Sequence, residues 1–301
     1  MQIYLIDFVV NNGLKKSDYK YYHEWNQIYN SKINADLIVL GSSRATGHVD
    51  PQILDTLLGI DSYNLGMPAY KINMQLARFS VYLKYNKKPN YIIQILDFNT
   101  FAKKQQPYQI QQFYPYFSDT IITNTLKHEF NVLNWAIFNI PLYRYAGETQ
   151  LIKMGILEYF KIKHYDEFIG YKGYYAGDKK WDGTFDKFVK DNSKGVEIEI
   201  NDQSVNIFNG FLKKCKNENI KVYLVLAPEY HELFHYLLNR KQVQEIYKNF
   251  EREYGFNFID YSDNPISFNK SLFYNSQHLN RKGAEMFTRD LSLKIKNVMN
   301  N

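Results

Sequence analysis

Residues 36–44 read DLIVLGSSR, and this stretch decides the fold. Leu37 to Leu40 is a continuous apolar run bracketed by Asp36 and Gly41. A run this short, apolar at every position, is what a parallel strand buried on both faces requires. Polar Ser42-Ser43-Arg44 follows at once, so the chain leaves the sheet there. Asp50-Pro51 then opens a helix through Leu58, with Asp50 as N-cap and Pro51 at the first helical position. Gly59 ends it.

The same alternation continues outward. Residues 62–65 (SYNL) form a short second strand, punctuated by Gly66. Ile72, Leu76, Phe79 and Leu83 share one face of a helix that Lys87-Lys88-Pro89 closes. Residues 91–96 (YIIQIL) are a third strand ending at Asp97. Phe208, Phe211, Leu212 and Cys215 mark a helix, and residues 221–227 (KVYLVLA) a fourth strand stopped by Pro228. A helix over about 233–253, a short strand over 256–259, and a last helix carrying Ala284, Phe287, Leu291, Ile295 and Val298 complete the pattern. Strands alternating with helices predict an α/β domain with a mainly parallel sheet and right-handed crossovers. The interval at about 101–204 breaks the alternation and is too long for a loop. It reads as an insertion rich in Tyr and Phe, with some helix over about 121–138. The expected organisation is an N-terminal segment 1–35 and a domain 36–301 interrupted by that insertion.

Composition narrows the class. Of 301 residues, 45% are hydrophobic and 23% charged, which excludes intrinsic disorder. Lys+Arg 37 against Asp+Glu 31 gives +6, spread as pairs such as Lys87-Lys88, Lys103-Lys104 and Lys179-Lys180. A nucleic-acid binder concentrates its charge, so no nucleic-acid partner is expected. Aromatic residues reach 17%. They fill a core, offer a stacking surface to sugars, or reflect compositional bias. Cys215 is the single cysteine, which excludes an intramolecular disulfide framework and a cysteine-based zinc ribbon. Residues 1–10 (MQIYLIDFVV) are apolar but carry Asp7 and lack the charged region of a signal peptide. They are either the last turns of a membrane anchor or an element packed on the domain.

In an open parallel sheet, ligands bind at the carboxyl ends of the strands. Gly41-Ser42-Ser43-Arg44, Asn64-Leu65-Gly66, Asp97-Phe98-Asn99 and Pro228-Glu229-Tyr230 converge there. Tyr274-Asn275-Ser276-Gln277-His278, before the last helix, reaches the same rim. A serine with a base and with N–H groups facing the developing oxyanion suits acyl transfer. Ser43 is the candidate nucleophile and His278 the base. The N–H groups of Ser43 and Gly66 are candidate oxyanion donors. A rival motif is His231-Glu232-Leu233-Phe234-His235, an HExxH match. On a helix it would set two histidines on one face for zinc. Pro228 and Glu229 just before it argue against a zincin helix.

The set resembles the SGNH (GDSL-like) hydrolase superfamily over about 36–100 and 205–298. Gly41-Ser42-Ser43 is similar to the family's first block and Asn64-Leu65-Gly66 to its second. Asn275-Ser276-Gln277-His278 matches the spacing of its closing Asp-x-x-His. The resemblance implies a flavodoxin-like three-layer α/β/α sandwich with a five-stranded sheet in the order 2-1-3-4-5. It makes Ser43 the nucleophile and gives Asn99 an oxyanion role, without the family's Gly-x-Asn-Asp. It puts Asn275 where the triad acid stands. An amide can orient an imidazole but carries no charge, so Glu229 is an alternative acid. Arg44 either binds an acidic sugar or forms a salt bridge within its loop, and Tyr230 is a candidate substrate contact. The resemblance implies no cofactor and no metal. It implies a serine esterase or O-acyltransferase, acetyl the favoured acyl group, acting on a carbohydrate such as a bacterial surface polysaccharide. The chain resembles the membrane-associated surface-polysaccharide O-acyltransferase/esterase branch, so the cell envelope is the expected location. A catalytically impaired polysaccharide-binding or assembly protein is the alternative.

Overall fold

A computed structural model describes residues 2–20, 22–103, 106–130, 133–167, 170–177 and 179–300. Lys104, and residues 131–132 within the expected 121–138 helix, lie outside the described residues. The chain divides into two compact units. The larger comprises residues 35–76, 88–103 and 170–301, and the smaller residues 1–34, 77–87 and 104–169. The expected insertion is thus shared. Its first part groups with the N-terminal segment, and residues 170–204 belong with the sheet.

In the larger unit the sheet comprises β1 (Leu37–Leu40), β2 (Ser62–Asn64), β3 (Tyr91–Leu96), β4 (Lys221–Leu226) and β5 (Asn257–Asp260). Their order is β2-β1-β3-β4-β5, with every pairing parallel. Leu37 pairs with Ser62 on one side and Tyr91 on the other. All four β1 side chains are fully buried, because helices cover both faces. The last helix, Arg281–Asn300, packs against Ser43–His48 and Pro51–Leu58. Asp202–Asn217 and Arg240–Tyr254 pack together against β4 and β5. The result is a three-layer α/β/α sandwich of flavodoxin-like strand order.

Ala284, Phe287, Leu291 and Ile295 are fully buried, at the three- and four-residue spacing of one helix face. Val298, expected on that face, is exposed. Asp50 caps the Pro51–Leu58 helix by accepting from Gln52 N–H. The helix expected from about 233 begins instead at Arg240. Leu237 bridges to Val196, with Val196 N–H donating to Tyr236 and Leu238 N–H to Val196. That pairing takes the backbone groups a continuous helix would need, and residues His231–Tyr236 are left as a 3₁₀ segment. Two short antiparallel strands, β6 (Phe273–Asn275) and β7 (His278–Leu279), form a hairpin in which Asn275 pairs with His278.

The smaller unit is built around helix Gln2–Leu14, which packs along helix Thr149–Tyr159. Asp7 accepts two hydrogen bonds from Arg144, at 2.7 and 2.8 Å, and one from Leu142 N–H. Trp25, Phe113 and Tyr116 are buried together, and Tyr29 stacks on Tyr116 at 4.7 Å. Much of the aromatic excess of residues 101–204 is therefore core. The first turns of the N-terminal helix differ: Ile3, Tyr4, Leu5, Ile6 and Phe8 are exposed. No described helix is long and apolar enough to cross a membrane.

Candidate active site

The site is assembled at the carboxyl ends of β1 and β3 and on the β6–β7 hairpin. Gly41 ends β1 with φ +147°, a conformation L side chains rarely adopt, and a Cβ there would lie 2.9 Å from Ala45 and Ile95. The chain can turn at once into helix Ser43–His48, with Ser42 before it and Ser43 in its first turn. Ser43 is half-buried. Its Oγ lies 2.7 Å from His278 Nε2. His278 Nδ1 in turn lies 3.0 Å from Asn275 Oδ1. The hairpin accounts for that second contact, since residues paired across a tight antiparallel turn bring their side chains together. Asn275 Oδ1 also accepts from Gln277 N–H at 3.0 Å, which locks the turn.

The imidazole is kept neutral. Burial, followed by the positive charge of Arg44, lowers His278 to about 3. Tyr274 stacks on its ring at 5.3 Å. His48 meets it edge-on at 5.9 Å, and its Nε2 accepts from Leu279 N–H at 3.1 Å. Burial, then His278 and Arg44, hold His48 well below the ordinary histidine value. A neutral His48 with a free Nε2 lone pair therefore pins the strand that carries His278.

Beside Ser43 lies a buried ion network. Arg44 donates to Asp97 at 2.8 Å and to Glu229. Asp97 also accepts from Ser42 Oγ at 3.0 Å and from Asn99 N–H at 2.8 Å. Its carboxyl lies below the ordinary range: burial opposes ionisation, but Arg44, Lys71 and these hydrogen bonds outweigh it. Glu229, whose hydrogen-bond donor is Arg44, is raised by burial to about 7. One guanidinium neutralises one carboxylate, and the one with more hydrogen-bond donors, Asp97, stays charged.

Four expectations need correction. Glu229 is not the partner of His278; it is spent on Arg44. Arg44, 5% exposed and paired to two carboxylates, is a structural cation and not a substrate contact. Tyr230 is also 5% exposed and gives its hydroxyl to Glu232 at 2.7 Å. The Gly66 N–H donates to Asn64 Oδ1 at 2.9 Å. Gly66 is glycine because a Cβ would lie 2.5 Å from Thr46 Oγ1 and 2.7 Å from Thr46 N, so the neighbouring helix packs on it. Asn64 completes that joint by donating to the Ala45 and Val49 carbonyls at 2.7 and 2.8 Å. Asn99 stands in the turn after β3, where its carbonyl accepts from Lys71 Nζ at 2.9 Å. Among the described residues the Ser43 N–H has no acceptor.

No protein-family model matches the chain. No curated protein matches it either. The chain is similar to a solved structure from Desulfitobacterium hafniense DCB-2, provisionally described as a lipolytic protein of the G-D-S-L family. Identity is 13% and the TM-score 0.41, over 85% of this chain and 97% of that one. A likeness this distant says nothing about the site, and the fold assignment rests on the strand order.

The HExxH motif lacks the geometry zinc binding needs. His231 and His235 stand in a 3₁₀ segment, where positions i and i+4 point about 120° apart instead of sharing a face. His231 stacks on Phe268 at 4.6 Å. Among the described residues no group of three or more His, Cys, Asp or Glu is placed to hold a metal ion. Asp97 and His48 hold roles around the site that sequence reasoning did not assign. Asp97 gave a faint signal as the residue ending β3, and His48 as a histidine one helix beyond Ser43.

Proposed function

We propose that the chain is a serine-dependent esterase or O-acyltransferase that forms an acyl-enzyme on Ser43. The observation that carries this reading is the 2.7 Å approach of Ser43 Oγ to a neutral His278 Nε2. A base must lie within such reach of the proton it takes. His278 takes the Ser43 proton as Oγ attacks the ester carbonyl. The Ser43 N–H donates to the oxyanion. The tetrahedral intermediate then collapses, and His278 returns the proton to the departing alcohol. Water or a sugar hydroxyl, deprotonated by His278, attacks the acyl-enzyme and frees Ser43.

The acetyl group, the carbohydrate acceptor, the membrane-associated SGNH-like branch and the envelope location belong to the same proposal. The half-exposed Trp181 near the His278 hairpin supports a sugar ligand. The exposed apolar turns of helix Gln2–Leu14 support membrane association. A second reading, an impaired glycan-binding or assembly protein, is favoured by the amide at position 275, which brings no charge to an imidazolium. One experiment separates the two. The chain is treated with a fluorophosphonate and mapped by mass spectrometry, and hydrolysis of an activated acetate ester is followed in parallel. The enzyme reading expects adduct on Ser43 and turnover, both lost in Ser43→Ala. Adduct on Ser42, or glycan binding without any turnover, overturns it.

A further inference from the structure

We propose that the smaller unit carries a binding site for an anionic amphiphile, one negatively charged head on an apolar chain, along helix Gln2–Leu14. The inference stands apart from the Ser43 chemistry and deepens the membrane association proposed above. A cavity of about 490 Å³ lies beside this helix, and all its lining residues belong to the smaller unit. Small-molecule sites run from roughly 300 to 1,000 Å³. One wall is a stripe of the helix. Tyr4, Phe8, Asn11, Asn12 and Lys15 follow one another at three- and four-residue spacing. Lys15 continues the helix, its N–H donating to the Asn11 carbonyl at 3.1 Å. From Tyr4 to Lys15 the stripe is about 16 Å long, at 1.5 Å per residue. Phe117 and Phe138 also line the cavity, with ring centroids 4.9 Å apart.

The charged residues of the lining are Lys15, Arg144 and Asp7, an excess of one positive charge. Asp7 is spent on Arg144. The Asn11 amide donates to Asp7 and accepts from Tyr145 Oη, and the Asn12 amide donates to the Phe8 carbonyl. Among the described residues, two cationic groups keep a donor to offer. Arg144 is 8% exposed, and its Nε is buried without an acceptor. Lys15 Nζ makes no ion pair and lies 6.0 Å from the Tyr116 ring centroid. Burial, followed by the charge of Arg144, lowers Lys15 below the ordinary lysine value. Buried donors and an unmatched cation call for an anionic acceptor. The aromatic walls call for an apolar body. An inorganic anion would leave those walls unfilled, and a neutral sugar would leave the charge unmet. Apolar surface continues outside the cavity, where Leu5, Ile6, Trp135 and Ile140 are exposed. Tryptophan and tyrosine at such a rim suit the level of lipid headgroups.

The test titrates sodium decanoate, below its micellar concentration, into the full chain by calorimetry. One decanoate per chain is expected. Decanol keeps the chain without the charge, and inorganic phosphate keeps the charge without the chain. Each should bind at least about 10-fold more weakly. Lys15→Gln should weaken decanoate about 10-fold, the loss of one charge-assisted hydrogen bond. Phe138→Glu, at a half-buried ring, should weaken it further by repelling the head. Flotation with phosphatidylglycerol vesicles identifies the source of the ligand. If Lys15→Gln loses both decanoate and vesicles, the site takes a bilayer lipid. If it loses decanoate and still floats, the site takes a free amphiphile and the exposed helix turns alone hold the bilayer. Absence of decanoate binding, equal binding of decanoate and decanol, or decanoate binding unchanged in both variants would overturn the proposal. Decanoate binding surviving in Ser43→Ala, with ester turnover lost, places the ligand outside the Ser43 site. Vesicle binding without any decanoate binding removes the cavity and leaves the membrane association standing.

Discussion

The two sides of the Ser43–His278 pair are built on opposite principles. On the serine side, Arg44, Asp97 and Glu229 are buried and cross-bonded, with Ser42 and the 97–100 turn tied in. On the histidine side stands a half-buried amide, Asn275. Burial explains the contrast. A charge taken out of water is costly unless it is paired and hydrogen-bonded, so the serine side is held together by ion pairs. The histidine side borders solvent and can hold its imidazole with one neutral acceptor. The turn carrying Ser43 is thus rigid by electrostatics, whereas His278 is oriented by hydrogen bonds.

The largest expected effect attacks the rigid side. Arg44→Met leaves Asp97 and Glu229 buried without their counter-charge and should cost about 3–5 kcal/mol in urea unfolding. A loss under about 1 kcal/mol would mean the network is not a stability element. Next comes the joint beneath the serine helix. Gly66→Ala forces a Cβ against the Thr46 backbone and should cost about 1–3 kcal/mol, with ester turnover falling alongside.

Glu229→Gln sharpens the comparison through pH. Glu229 is raised to about 7 in the folded chain, so between about 4.5 and 7 the native state holds a proton the unfolded chain has released. Stability from this group is present at low pH and is lost as pH rises through that window. His278, lowered to about 3, has the opposite slope: stability is lost as pH falls from about 6.5 toward 3. Relative to the wild type, Glu229→Gln should therefore gain in Tm at pH 8 compared with pH 5. An equal Tm difference at both pH values would show that Glu229 does not titrate there.

The smallest stability effect belongs to the histidine side. Asn275→Ala should lower unfolding stability by under about 1 kcal/mol while reducing kcat. A loss comparable to that of Arg44→Met would erase the distinction between the two sides. A base lowered to about 3 also stays neutral at mildly acidic pH, so kcat/KM should hold its plateau down to pH 5. An acid limb centred near 6.5 would place His278 in an ordinary environment.

How much of this was legible in the sequence depended on distance along the chain. Buried strands show in any window of six residues, so residues 37–40 and 91–96 were readable, and their alternation with helices implied the sandwich. Ser43 and His278 were singled out by their positions after a strand and before a helix, although they are 235 residues apart. What was not legible is who occupies whose hydrogen-bonding groups. Nothing near Arg44 announces that Glu229, 185 residues away, will take it out of the substrate's reach. Nothing near Gly66 shows that the packing of Thr46 explains its missing side chain. Residues 233–236 read as the start of a helix until Val196 arrives to pair with the residue after them.

The Asp7–Arg144 pair has a consequence for biosynthesis. Its partners are 137 residues apart, and Asp7 is made first. At roughly 5–20 residues per second, the first helix waits on the order of 10–30 s for the segment that covers it. Throughout that interval Val10 and Leu14, fully buried in the finished chain, have no helix 149–159 to pack on. The nascent chain thus exposes an apolar helix until residues 149–159 are made, and this segment is one that a ribosome-associated chaperone or a nearby bilayer would hold.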